Sequence, residues 1–126
     1  MSYNAKNYIV SKGMGLPVDT ILDGVIISIE DKQVKDFISE NAKIGWKGDL
    51  DSQAINVEIE IINDQQLLQS FKFHQMFTFF EKEGKTSYTE NSNLGKYVSK
   101  YKKLPEIGDK IKIITDSNGF GKIKLN

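Results

Sequence analysis

The chain has 126 residues, 27% of them charged and 39% hydrophobic, which suits one domain with a real core and excludes a wholly disordered polypeptide. Its apolar runs, such as VIISI, fall far short of the roughly 18 residues of a membrane-spanning helix, and the amino terminus carries no pattern of an export signal. The absence of cysteine excludes disulfides and thiolate metal sites and points to a cytoplasmic protein.

The formal net charge of zero hides a gradient: residues 1–63 hold 6 lysines against 10 acids, and residues 64–126 hold 11 against 7. From Leu94 onward there are 8 lysines and 3 acids, either a local basic surface or simply a solvated polar face. Every basic residue is a lysine. An ammonium is a point charge without the planar fork of arginine, so phosphate contacts made by this chain would be loose and salt-sensitive.

Residues 1–18 read as an arm, because Gly13, Gly15 and Pro17 interrupt any period, with Tyr8, Ile9 and Val10 available as a short edge strand. The domain proper then spans 19–126. Its first strand, Thr20 to Glu30, alternates Val25, Ile27 and Ile29 with Ile26, Ser28 and Glu30, which predicts one face inward. Gly24 marks either a bend that lets this strand join two parts of a sheet or a plain weak spot.

A long connection with one helical turn is expected from Asp31 to Asp51. It holds Trp46, the only tryptophan, which reads either as a base-stacking platform or as a plug under the loop. The second strand, Ala54 to Ile62, alternates Ile55, Val57, Ile59 and Ile61 with Asn56, Glu58 and Glu60, the mark of a half-buried strand. A third runs from Leu67 to Phe80, with Phe71, Phe73, Phe77 and Phe79 on the core parity and Lys72, His74, Met76, Thr78 and Phe80 on the other.

After a turn at Gly84, Asn91 or Ser92 caps a helix whose Leu94, Tyr97, Val98 and Tyr101 form one apolar stripe, ended by Pro105. Lys100, Lys102 and Lys103 crowd its carboxyl end, where cations meet the helix dipole favourably. A last hairpin follows, with Ile111 and Ile113 on one strand, the turn DSNG, and Ile123 and Leu125 opposite in parity to Phe120, Lys122 and Lys124. A regular strand there places one aromatic ring and two ammonium groups on the outer surface.

This element order resembles that of the oligonucleotide/oligosaccharide-binding (OB) fold, over roughly residues 20 to 125. The resemblance implies an all-β, five-stranded Greek-key OB-type barrel with one helix between strands three and four, like small single-stranded nucleic-acid-binding proteins. It also implies a ligand lying across strands two and three and between two loops. On this chain those positions are Trp46 and Lys47 in the first loop, Lys72, His74, Met76 and Phe80 outside strand three, and Asn118 and Phe120 in the last hairpin, extended by Lys122 and Lys124. Tyr88 adds a further aromatic at a loop position. Glu58 and Glu60 depart from the pattern, because they bring like charge to a phosphate backbone.

Catalytic chemistry finds no constellation in the sequence. His74 has no acid or nucleophile near it in the chain, Asp49-x-Asp51 does not complete a calcium loop, and the two GxG triplets are explained by turn geometry. The expectation is a non-enzymatic domain without cofactor or metal that binds single-stranded DNA or RNA through aromatic stacking and lysine-phosphate contacts. The alternative is a protein-interaction or assembly module, with a protein partner or a second copy, on the same barrel.

Overall fold

The computed structural model describes Ala5, residues 16–62 and residues 71–126. Strand β1 (Ile21–Gln33) leads through two short helices, α1 (Val34–Phe37) and α2 (Glu40–Ile44), into β2 (Gln53–Ile61). Then come β3 (Lys72–Lys82), β4 (Lys85–Ser87), helix α3 (Asn93–Tyr101), and the hairpin of β5 (Lys110–Thr115) and β6 (Gly121–Ile123). All pairings are antiparallel, in the order β4-β3-β2-β1-β5-β6, and the sheet curls into a half-barrel.

The all-β expectation holds, but the five-stranded closed barrel is corrected on two points. A sixth strand, β4, follows a two-residue turn in which Glu83 (φ 54°) and Gly84 (φ 74°) both take positive φ, the backbone of a tight hairpin. It moves the helix from between strands three and four to between four and five. Nor does a ladder close the sheet among the described residues: where β3 and β6 approach, the Ile123 N–H donates to the side-chain Oε1 of Gln75 at 2.8 Å.

The curl comes from β1. Its first residues pair with β5 and the rest with β2, and Gly24 stands opposite both Ile111 and Ile61. A Cβ at Gly24 would lie 3.0 Å from Ile113 Cγ1 and 3.0 Å from Ile59 Cγ2, so a larger residue there would push these two core side chains aside by a few tenths of an ångström. The register shifts between Ile26 and Ser28. This bulge overturns the single inward parity expected for the strand: Leu22 and Ile26 are buried before it and Ile29 packs against the core after it.

The core lies inside the curl. Val57, Ile59 and Ile61 meet Phe73 and Phe77 across β2–β3, and α3 closes the space with Leu94 and Tyr97. Phe77 and Tyr97 meet edge to face, centroids 5.9 Å apart at 70°. Ser92 caps α3 by accepting from the Gly95 N–H, and the helix ends at Tyr101 with Lys102 in the left-handed region (φ 67°), four residues before the Pro105 stop expected from sequence. Leu16 is 3% exposed and belongs to the core, so packing reaches into the segment read as an arm. The edge strand expected at Tyr8, Ile9 and Val10, and the start of the third strand at Leu67, lie outside the described residues. Among the described residues no helix is long and apolar enough to cross a membrane.

Candidate functional site

The outer face of β2–β3 is a ladder of paired charges. Register sets Glu60 opposite Lys72, Glu58 opposite His74, Asn56 opposite Met76 and Ala54 opposite Thr78. Lys72 Nζ lies 3.9 Å from Glu60 Oε2, and His74 Nε2 lies 3.4 Å from Glu58 Oε2. Ser28 on β1 donates its hydroxyl to Glu58 Oε1 at 3.3 Å. Lys72 and His74, two of the residues expected to meet phosphate, therefore already face carboxylates, and a polyanion on this face would meet Glu58 and Glu60 as well.

The aromatic residues of the expected site stand in solvent. Relative exposure is 38% for Trp46, 46% for Phe80, 37% for Tyr88 and 54% for Phe120, whereas Phe73, Phe77 and Tyr97 are buried. Phe80 stands opposite Ser87, and Tyr88 follows directly after β4. Trp46 follows α2, where Ser39 caps the amino end and the Trp46 N–H donates to Lys43 O at 3.2 Å. A Cβ on Gly48 would lie 3.3 Å from the indole Nε1, so the loop folds back along one edge of the ring. Lys47 beside it is exposed. The loop is clamped at its base by the Val34 N–H to Ser52 O and the Lys35 N–H to Leu50 O, and by Lys35 Nζ to Asp51 at 2.9 Å. That ammonium's hydrogen bond to Asp51 raises the pKa of Lys35. Asp49, the other acid of the pair, accepts from the Asp51 N–H, so both carboxylates serve the turn.

In the last hairpin Asp116 organises the tip. Its Oδ1 accepts from the N–H groups of Asn118 (2.9 Å) and Phe120 (3.0 Å), and Gly119 takes φ 79°. The Asp116 N–H donates to Phe120 O, so the ladder stays in register through the turn and the strand parity expected for Phe120 is preserved. Lys122 stands opposite Ile114 on the same outer face. Lys124 is half-buried beside Lys112, and its ammonium donates to the Asn126 carbonyl. Asn118 is exposed at the tip.

Three features of this end escaped sequence reasoning. Tyr101 wedges its hydroxyl between β5 and β6: it accepts from the Lys112 N–H at 3.2 Å and donates to Lys124 O at 2.8 Å, taking the place of a ladder bond. Its burial raises its pKa, against the Lys112 N–H and charge, which lower it. Below it, Asp109 accepts from Tyr97 (3.0 Å), from the Glu106 N–H (3.0 Å) and from Lys103 Nζ (2.9 Å). Burial works to raise the Asp109 pKa, but these donors outweigh it and hold the carboxyl below its usual range, while burial and the same bond push the Tyr97 phenol well above its own.

Lys112 pairs with Asp23 directly across β1–β5, and that hydrogen bond raises its pKa. Among the described residues, no carboxylate side chain lies within ion-pair distance of Lys96, Lys110 or Lys122. The site expected from sequence thus divides into a neutralised half on β2–β3 and a half with unpaired ammonium groups on β5–β6. The chain matches no protein-family model, and no curated protein and no solved structure is detectably similar to it.

Proposed function

We propose that this chain is a non-enzymatic domain that binds single-stranded DNA or RNA, with bases stacked on exposed rings and phosphates met by lysines of the β5–β6 hairpin. The observation that carries it is the sorting of the aromatics. Trp46, Phe80, Tyr88 and Phe120 are all left at least a third exposed, in loops or at strand ends, although the chain buries other rings in its core. An exposed ring can serve any base, since every base offers a π-face. Near Phe120 in the chain, Lys122 has no acidic partner among the described residues, which leaves its ammonium for a phosphate.

An OB-type reading of the sheet is supported by its connectivity. With β4 set aside, the order is β3-β2-β1-β5-β6, a three-strand meander to which the strand after the helix returns beside β1. The Gln75–Ile123 hydrogen bond sits where such a barrel would close.

Anisotropy titration of labelled single-stranded oligonucleotides at two salt concentrations tests the proposal. Binding that weakens steeply with salt is the expected result, and no binding at low salt overturns it. A second reading, a protein-interaction or assembly module, is favoured by the Glu58–His74 and Glu60–Lys72 pairs and by exposed Ile21, Ile44 and Ile107. Light scattering on a sizing column separates the two: a concentration-dependent dimer that ignores oligonucleotides would favour assembly.

A further inference from the structure

Where β3 and β6 approach without a ladder, the surface opens into a groove of about 390 Å³ beside the first turn of α3. That volume is within the roughly 300–1,000 Å³ of small-ligand clefts. Lys96 from α3 and Lys122 from β6 line it, with the amides of Gln75 and Asn93 and an apolar floor that includes Ile123. None of the lining residues has a carboxylate side chain. Gln75 spends its Oε1 on the Ile123 N–H, which leaves its NH₂ as a donor. The groove therefore offers two ammonium groups and amide donors and no carboxylate side chain, unlike the paired face of β2–β3.

We infer that this seam is an anion site that takes phosphate of a bound single strand, held by Lys96 and Lys122. This rests on the nucleic-acid reading and redirects it: the strand runs over the β5–β6 hairpin into the seam instead of along the face that carries Glu58 and Glu60. The neighbouring ring supplies the argument for a nucleotide over an acidic peptide. Phe120 lies two residues before Lys122 on the same side of the hairpin, about 7 Å along an extended chain, so ring and ammonium are spaced on the scale of one nucleotide.

The test measures the slope of log affinity against log salt for a short labelled oligodeoxythymidylate, between about 50 and 200 mM salt. A Lys96→Gln/Lys122→Gln protein should lose about 0.7 to 1.4 from the slope, the share of one or two phosphates on a single strand. A matched Lys82→Gln/Lys85→Gln protein, altered at the distant β3–β4 hairpin, should keep the wild-type slope. An unchanged slope in the seam variant, or an equal loss in the hairpin variant, overturns the inference. If the wild-type protein does not bind the oligonucleotide at all, the proposed function falls, and inorganic pyrophosphate followed by amide chemical shifts decides the groove alone. Shifts confined to Gln75, Lys96, Lys122 and Ile123 would retain the anion site, and their absence would overturn it too.

Discussion

On the outer face of β2–β3, Lys72 and His74 stand across from Glu60 and Glu58; on the outer face of β5–β6, Lys122 stands across from Ile114 and has no acidic partner among the described residues. Both faces show basic side chains at alternate positions of a strand, and along the chain they look alike. What separates them is the neighbour supplied by another strand. Cross-strand neighbours sit about 4.5–5.5 Å apart, close enough to neutralise one another, so local charge in a sheet is a property of register and not of a single strand. The lysines after the helix divide in the same way. Lys103 turns to Asp109 and Lys112 meets Asp23, whereas among the described residues Lys96, Lys100, Lys102, Lys110, Lys122 and Lys124 have no carboxylate side chain within ion-pair distance, Lys100 lying over the ring of Tyr101.

The largest expected effect separates rings that hold the fold from rings that await a ligand. Phe77→Ala should cost about 3–5 kcal/mol of stability, a large part of what a domain of this size has. Phe120→Ala should leave the melting temperature nearly unchanged and weaken single-strand binding by about 1–3 kcal/mol at every salt concentration. Thermal melts paired with anisotropy read both, and a Phe120→Ala protein that melts early yet binds normally would assign that ring to packing.

Next in size is removal of the acids that distinguish the two faces. Glu58→Gln with Glu60→Gln removes two carboxylates and frees Lys72, and affinity at low salt should rise severalfold, with a slope steeper by about 0.7 if Lys72 then meets a phosphate. Affinity that does not move would mean that a bound strand avoids β2–β3 altogether. A smaller difference is expected between single lysines: Lys122→Ala should lower the salt slope by about 0.7, while Lys72→Ala, whose charge is already offset by Glu60, should leave it nearly unchanged. Equal losses from the two would erase the contrast between the faces.

The smallest effect concerns how the basic hairpin is anchored. Because the folded Asp109 pKa is depressed, its contribution is present above the unfolded carboxylate value, about 3.9, and is lost as pH falls through the lower folded value. Lys103, raised by its bond to Asp109, contributes below its unfolded value of about 10.4 and loses that share as pH rises through the folded one. Melting temperature followed from neutral pH downward should fall more steeply below about pH 4 in the wild type than in Asp109→Asn. Parallel curves would show that Asp109 adds nothing beyond its neutral hydrogen bonds.

Much of this architecture was legible from the chain. The alternation of Ile55, Val57, Ile59 and Ile61, the core parity of Phe73 and Phe77, the capped stripe of Leu94 and Tyr97 and the turn at Gly84 are local patterns, because a strand repeats every two residues, a helix every 3.6 and a turn needs particular φ values. The exposure of Phe120 followed from the same parity, since Asp116 keeps the turn in register. What folding alone decided is non-local. The bulge after Ile26 inverts the parity of β1 because the strand must serve β5 with one end and β2 with the other. The three residues of β4 carry no period of their own and form a strand only against β3. Which acid faces which cation, and that Lys96 and Lys122 share one groove although they are far apart in the chain, depends on the curl that brings β6 toward β3. Residue order can state a face and a period, but proximity between faces is created by the packing of the core, which selects one register and one curvature together.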